Sequence, residues 1–171
     1  MKVGRITLSD RASAGVYADA SGPEIERVVQ QYFAEELVFL PVLMPDEQPA
    51  LEAELRRLAD VERCPLIITT GGTGPAPRDI TPEATRAVIT RELPGFGEAM
   101  RMHSFTVVGV KTAILTRATA GVRGASLIVN LPGRPRAIVE CLPMLLPAIA
   151  ECIDHIAGFR PQLQQSKKGS E

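Results

Sequence analysis

Apolar residues recur at two spacings along this 171-residue chain, and the alternation between the two predicts most of its elements. VGRITL (3–8) is a short apolar run of strand type that stops at Ser9 and Asp10. SGPEIERVVQQYFAEE (21–36) carries Ile25, Val28, Val29 and Tyr32 at intervals of three and four. It predicts a helix with Ser21 as N-cap and Glu24 completing a capping box. LVFLPVLM (37–44) is a second strand, which Pro41 assigns to an edge or a bulge. PDEQPALEAELRRLADV (45–61) predicts a helix that starts at Asp46 as N-cap, with Leu51, Leu55 and Leu58 on one face. CPLIITT (64–70) is continuously apolar, as a buried central strand of a parallel sheet must be.

TPEATRAVITRE (81–92) predicts a helix with Thr81 as N-cap and Pro82 at the first helical position, where a missing N–H costs nothing. AILTRATAGVRGASLIVNLPG (113–133) reads as two strands about a turn at Arg123-Gly124. A helix kinked at Pro143 or Pro147 (135–158) follows. Strands alternating with helices make a three-layer α/β sandwich, a mostly parallel central sheet with helices on both faces. One domain over residues 1–160 and a polar, disordered tail over 161–171 are expected. In such sheets ligands bind beyond the carboxyl ends of the strands, which here means the loops after Leu8, Thr70 and Asn130.

Composition narrows the partners. A net charge of −1 argues against a general nucleic-acid binder. No apolar stretch suits a membrane span, since 137–153 is broken by Glu140, Pro143, Pro147 and Glu151. The opening residues lack a secretory h-region, so a cytoplasmic protein is expected. Cys64, Cys141 and Cys152 form no CxxC pair and read as small buried thiols.

The candidate chemistry lies in LIITTGGTGPAPRDITPEAT (66–85). TTGGTG follows a buried strand and precedes a helix, where glycines let backbone N–H groups approach a ligand, or merely make a tight turn. It is neither a P-loop nor GxGxxG. Arg78 and Asp79 add a cation and a carboxylate at the helix entrance. Asp79 reads as a cap or a metal carboxylate, and Asp46 as an N-cap or the same. Arg11, Arg78, Arg117, Arg134 and Arg136 make this edge basic, although Arg117 and Arg123 also read as solvated surface. His103 and His155 fall outside the strand-end loops and read as structural, and no triad motif is present. Transfer onto a phosphate oxygen needs no base, since a phosphate monoester is largely dianionic at neutral pH. It needs charge neutralisation and alignment.

ITLSDRASAG, DASGPEIE, MPDEQ, the 66–85 segment, PGFGEAMR, ILTRATAGVRG and LIVNLPGRPRA together resemble successive motifs of the molybdopterin adenylyltransferases, the Mog-type proteins and gephyrin-like G domains, over residues 3–157. The resemblance implies a Mog/MoaB-like fold assembled as a homotrimer. It also implies Mg²⁺-dependent transfer of an adenylyl group from ATP to the terminal phosphate of molybdopterin, and hand-over of the product to a metal-insertion protein. It sets Asp46 and Asp79 as catalytic and metal-holding. Substrate contacts would fall on Ser9, Asp10, Ser21, Gly71, Gly72, Thr73, Gly74, Arg78, Ser104, Arg117, Asn130, Pro132 and Gly133. RMHSF (101–105) is also similar to the MoaB type, so a non-catalytic molybdopterin-binding or scaffold trimer is the alternative. A pyrophosphate or nucleotide-sugar hydrolase, turning over ATP without a pterin, is a third reading.

Overall fold

A computed structural model describes residues 1–164. Six strands, β1 (Lys2–Leu8), β2 (Val38–Met44), β3 (Leu66–Thr70), β4 (Arg91–Glu92), β5 (Ala120–Arg123) and β6 (Ser126–Leu131), form one sheet in the order β2-β1-β3-β6-β5-β4. The first four in that order run parallel, and β5 and β4 are antiparallel additions. The helices are α1 (Asp10–Ser13), α2 (Ser21–Tyr32), α3 (Gln48–Arg56), α4 (Thr81–Val88), α5 (Gly95–Thr106) and α6 (Pro135–Ala157).

Two cores confirm the sandwich. On one face Leu66, Ile68, Leu127 and Val129 pack against α2, α5 and α6. On the other, Ile6, Ile67 and Ile128 pack against α3 and α4. All five residues of β3 and all six of β6 are therefore buried, the reason their sequences are apolar without alternation. β2 closes the sheet, and its unbroken register assigns Pro41 to an edge rather than a bulge. No helix among the described residues is long and apolar enough to cross a membrane.

Several local expectations are corrected. Ser21 and Thr81 are first helical residues rather than N-caps, and α3 begins at Gln48, two residues beyond Asp46. The first turn of α2 is held instead by Asp19, whose Oδ1 accepts from the N–H groups of Ser21 and Gly22 (3.0 and 2.9 Å), while Glu24 pairs with Arg27. α4 stops at Val88, releasing Arg91 and Glu92 to the sheet edge. Residues 113–119 are a 3₁₀ turn (Lys111–Leu115) and extended chain rather than a strand, and α5 occupies a stretch where glycines obscure the periodicity. The hairpin turns at Gly124 (φ +55°) and Ala125. Pro143 and Pro147 lie within one helix of 23 residues. Of the expected tail, residues 161–164 pack back on α2: Gln164 N–H donates to Tyr32 O at 2.6 Å and Leu163 bridges Phe33. Residues 165–171 lie outside the described residues.

Candidate active site

Because β1, β2, β3 and β6 are parallel, their carboxyl ends open on one edge, and α1, α3, α4 and α6, which follow them, begin there. The positive ends of the longer helix dipoles face the same edge. The loop after β3 dominates it. Gly71 (φ +95°) and Gly72 (φ +61°) adopt backbone conformations that side chains disfavour. A Cβ on Gly72 would stand 2.5 Å from Thr81 Oγ1 and 2.7 Å from Asp46 Oδ1, and one on Gly74 2.8 Å from Asp79 Oδ2. Asp46, two residues beyond β2, and Asp79, two residues before α4, thus press on alternate residues of one turn. Thr81 fastens the turn from below, its Oγ1 donating to Gly71 O (2.8 Å) and its N–H to Gly72 O (3.0 Å). Among the described residues the N–H groups of Gly72, Thr73 and Gly74 are not spent on internal hydrogen bonds, leaving three uncommitted donors in a preformed turn.

The expected capping roles of both aspartates give way to tertiary ones. Asp46 Oδ2 accepts from Asp10 N–H (3.2 Å) while Asp10 Oδ1 accepts from Asp46 N–H (3.0 Å), a reciprocal clasp between the ends of β1 and β2. Burial pushes the Asp46 carboxyl above its usual range, and the charges of Asp10 and Asp79 add to the shift. Asp10 moves the other way, held low by the Arg78 guanidinium, which grips it at 2.7 and 3.0 Å. Arg78 also reaches Glu47 at 3.0 Å. Asp79 Oδ2 accepts from Ala76 N–H at 2.9 Å and closes its own loop.

Two clefts flank the turn at 132–134. One, of about 320 Å³, is lined by Thr73, Gly74, Ser104, Thr116, Pro132 and Gly133 with the apolar Met100, Val110 and Leu115. The other, of about 340 Å³, is lined by Thr7, Ser9, Tyr17, Asp19, Ser21 and Gly133. Arg134 is exposed and borders both. Ser9 Oγ accepts from Ala12 N–H and lies 2.8 Å from Tyr17 OH. Ser21 Oγ donates to Gly133 O, and Thr70 Oγ1 to Pro132 O, both at 2.8 Å, so these groups shape the turn.

Four further residues sit differently from a simple ligand edge. Asn130 is fully buried, donating to Thr69 Oγ1 (3.0 Å) and Thr85 Oγ1 (2.9 Å) between the sheet and α4, so its side chain does not reach either cleft. Ser104 Oγ lies 3.4 Å from Cys141 Sγ. Arg117 is enclosed by backbone carbonyls. Arg123, rather than being solvated, clasps Asp60 and donates to Val88 O (2.8 Å). His103 is half-buried on α5 and His155 is exposed beside Glu151. Burial raises all three thiols, Cys64 to about 11. Sequence patterning missed Asp19. Its signal was the Asp two residues before a helix start in DASGPE, the spacing at which a carboxylate reaches the first free N–H groups.

A family model described as "Probable molybdopterin binding domain" matches residues 4–151. A molybdopterin adenylyltransferase of Helicobacter pylori J99 is 49% identical over 163 residues, covering 95% of this chain and 92% of that one. That of Haemophilus influenzae is 51% identical over 142 residues, 83% of this chain and 71% of its own. The crystal structure of the molybdopterin biosynthesis enzyme MoaB from Thermus thermophilus superposes with a TM-score of 0.84 at 39% identity, over 94% of this chain and 99% of that one. With the family model spanning the glycine turn and both flanking carboxylates, and relatives this similar over most of its length, the chain belongs to the molybdopterin adenylyltransferase family.

Proposed function

We propose that the protein transfers the adenylyl group of ATP to the terminal phosphate of molybdopterin. A pterin phosphate oxygen forms a bond to the α-phosphorus, the bond from that phosphorus to the α–β bridging oxygen breaks, and its electron pair leaves with pyrophosphate. The observation that carries this reading is the glycine turn: three uncommitted N–H donors held between the carboxylates of Asp46 and Asp79. The donors bind phosphate oxygens in place and lower the repulsion between two polyanions. The attacking oxygen is already ionised at neutral pH, which fits an edge with no histidine in it.

The donor set fits Mg²⁺. That ion is commonly bound through one or two carboxylates plus substrate phosphates and water, and among the described residues no three acidic, Cys or His side chains make a closed metal site. Asp46, whose ionised form the fold penalises, and Asp79 would hold it. When bound it neutralises charge on the leaving pyrophosphate. Arg78, at present matched by Asp10 and Glu47, borders the phosphates. Ser9, Ser21, Thr73, Pro132 and Gly133 shape the clefts for the organic parts of the two substrates, while Asp10 acts through Arg78 and Asp46. The same reading takes residues 1–160 as one domain acting in the cytoplasm, assembled as a homotrimer that passes adenylyl-molybdopterin to a metal-insertion protein.

The test is incubation of folded protein with molybdopterin, ATP and Mg²⁺ and mass detection of the adenylylated pterin alongside pyrophosphate. Pterin binding without product would replace this reading by the non-catalytic one, and pyrophosphate or phosphate release without the pterin by the hydrolase.

A further inference from the structure

Arg117 lies on the extended segment before β5 and holds the catalytic loop from behind. Its N–H donates to Thr73 O (2.8 Å), its Nε to Gly74 O (2.8 Å) and its Nη2 to Asp79 O (2.7 Å), while Nη1 pairs with Glu83 in the first turn of α4. Gly74 and Asp79 are the two ends of a six-residue loop whose middle is Pro75, Ala76, Pro77 and Arg78. One rigid, planar fork therefore fixes both ends of the segment that carries Asp79 and ties them to the helix behind it. Within the loop the Asp79 carboxylate is fastened only to Ala76 N–H, so its aim depends on where the two clamped carbonyls lie. The nearer cleft is bordered by Thr73, Gly74 and Thr116, the neighbours of Arg117, and not by Arg117 itself.

We infer that Arg117 is a positioning residue that acts through Asp79, not a contact for phosphate. This role rests on the proposed function for its catalytic consequence, but its structural half stands alone. A lysine at 117 keeps the charge but offers a single ammonium, which cannot span two carbonyls and a carboxylate in one plane. The loop ends then move apart, and a displacement of about 1 Å at a reacting group costs on the order of 10² in rate.

The test compares Arg117→Lys with the parent protein in two ways. Amide hydrogen exchange at Ala76, whose N–H among the described residues donates only to Asp79, is expected to accelerate at least about tenfold while Ile67 and Ile68 in β3 stay protected. Adenylyl transfer is expected to fall about 10² in kcat, with a higher Mg²⁺ requirement and unchanged KM for molybdopterin. Unchanged Ala76 exchange overturns the clamp. A raised KM with normal kcat makes Arg117 a ligand contact instead. Global loss of protection in β3, with kcat normal for the folded fraction, makes it a stability element alone. If the parent protein lacks transferase activity, the proposed function fails, and the Ala76 comparison still decides the clamp.

Discussion

The glycine turn has two flanks, and each is held by one arginine in a different manner. On the solvent flank Arg78, with 57% of its side chain exposed, bridges Asp10 and Glu47, carboxylates contributed by other elements. On the inner flank Arg117, with 36% exposed, is matched chiefly by backbone carbonyls at the ends of the loop, with Glu83 behind. The first arrangement is charge meeting charge in water, worth little to stability and open to exchange for the oxygens of a phosphate. The second satisfies polar backbone that would otherwise be left without partners, and so carries geometry. Arginines of equal formal charge thus differ in what accepts their hydrogen bonds, and on the proposed function the first serves recognition and the second framework.

The harshest way to break this comparison is to deform the turn that both flanks hold. Gly72→Val drives a side chain into Thr81 Oγ1 and Asp46 Oδ1 and forces a branched residue to φ +61°. Transfer activity is expected to fall by more than about 10³, beyond the loss of a single preorganised donor. Calorimetric titration with an ATP analogue should show binding lost in protein whose far-ultraviolet dichroism is unchanged.

Asp79→Asn is milder, because the asparagine oxygen still accepts from Ala76 N–H and the loop keeps its shape. A rate loss of about 10² to 10³ is expected, with molybdopterin affinity retained and little change in melting temperature. A large fall in melting temperature would make Asp79 a structural group of the inner kind.

Arg78→Ala separates the flanks. Stability is expected to change little, since both ion pairs are exposed, while affinity for the anionic substrates falls about tenfold and becomes less salt-dependent. The Asp10 carboxyl, released from Arg78, should titrate higher, nearer the usual aspartate range, which carbon-detected NMR follows.

The smallest effect concerns Asp46. Its folded-state pKa lies above its unfolded value of 3.8, so the folded protein holds the proton more tightly and loses stability as pH rises through the interval between the two. Asp46→Asn should therefore melt slightly higher than the parent at pH 7 without metal. In the parent, activity should fall on acidification with a midpoint above the ordinary aspartate value, and added Mg²⁺ should move that midpoint down.

The frame was legible in the sequence wherever burial imposes a period. The apolar run of β3, the threefold and fourfold spacing in α2 and the pairing of β5 with β6 all follow from which faces must leave water. What periodicity does not carry is the partner of a polar side chain. Ser21 and Thr81 have the composition of N-caps, yet their hydroxyls donate to Gly133 O, 112 residues away, and to Gly71 O across the turn. Asp46 likewise looks like a cap until β2 lies beside β1 and brings it to Asp10. That edge is assembled by strand order, and strand order is fixed by tertiary packing.

Asn130 has a last consequence, for the fidelity of assembly. It stands opposite Thr69 in the parallel register of β3 and β6, and its amide reaches from there to Thr85 of α4, while among the described residues its Oδ1 has no partner. Leu131 and Val129 on either side would be less sensitive to a slip of the two strands, since both belong to a largely apolar core. Asn130 is not, because a shift by one position turns its amide to the opposite face, among leucines and valines, at the cost of an unpaired polar group in a dry interior. A single amide thereby acts as an indexing pin, penalising misregistered sheets that the hydrophobic pattern alone would accept.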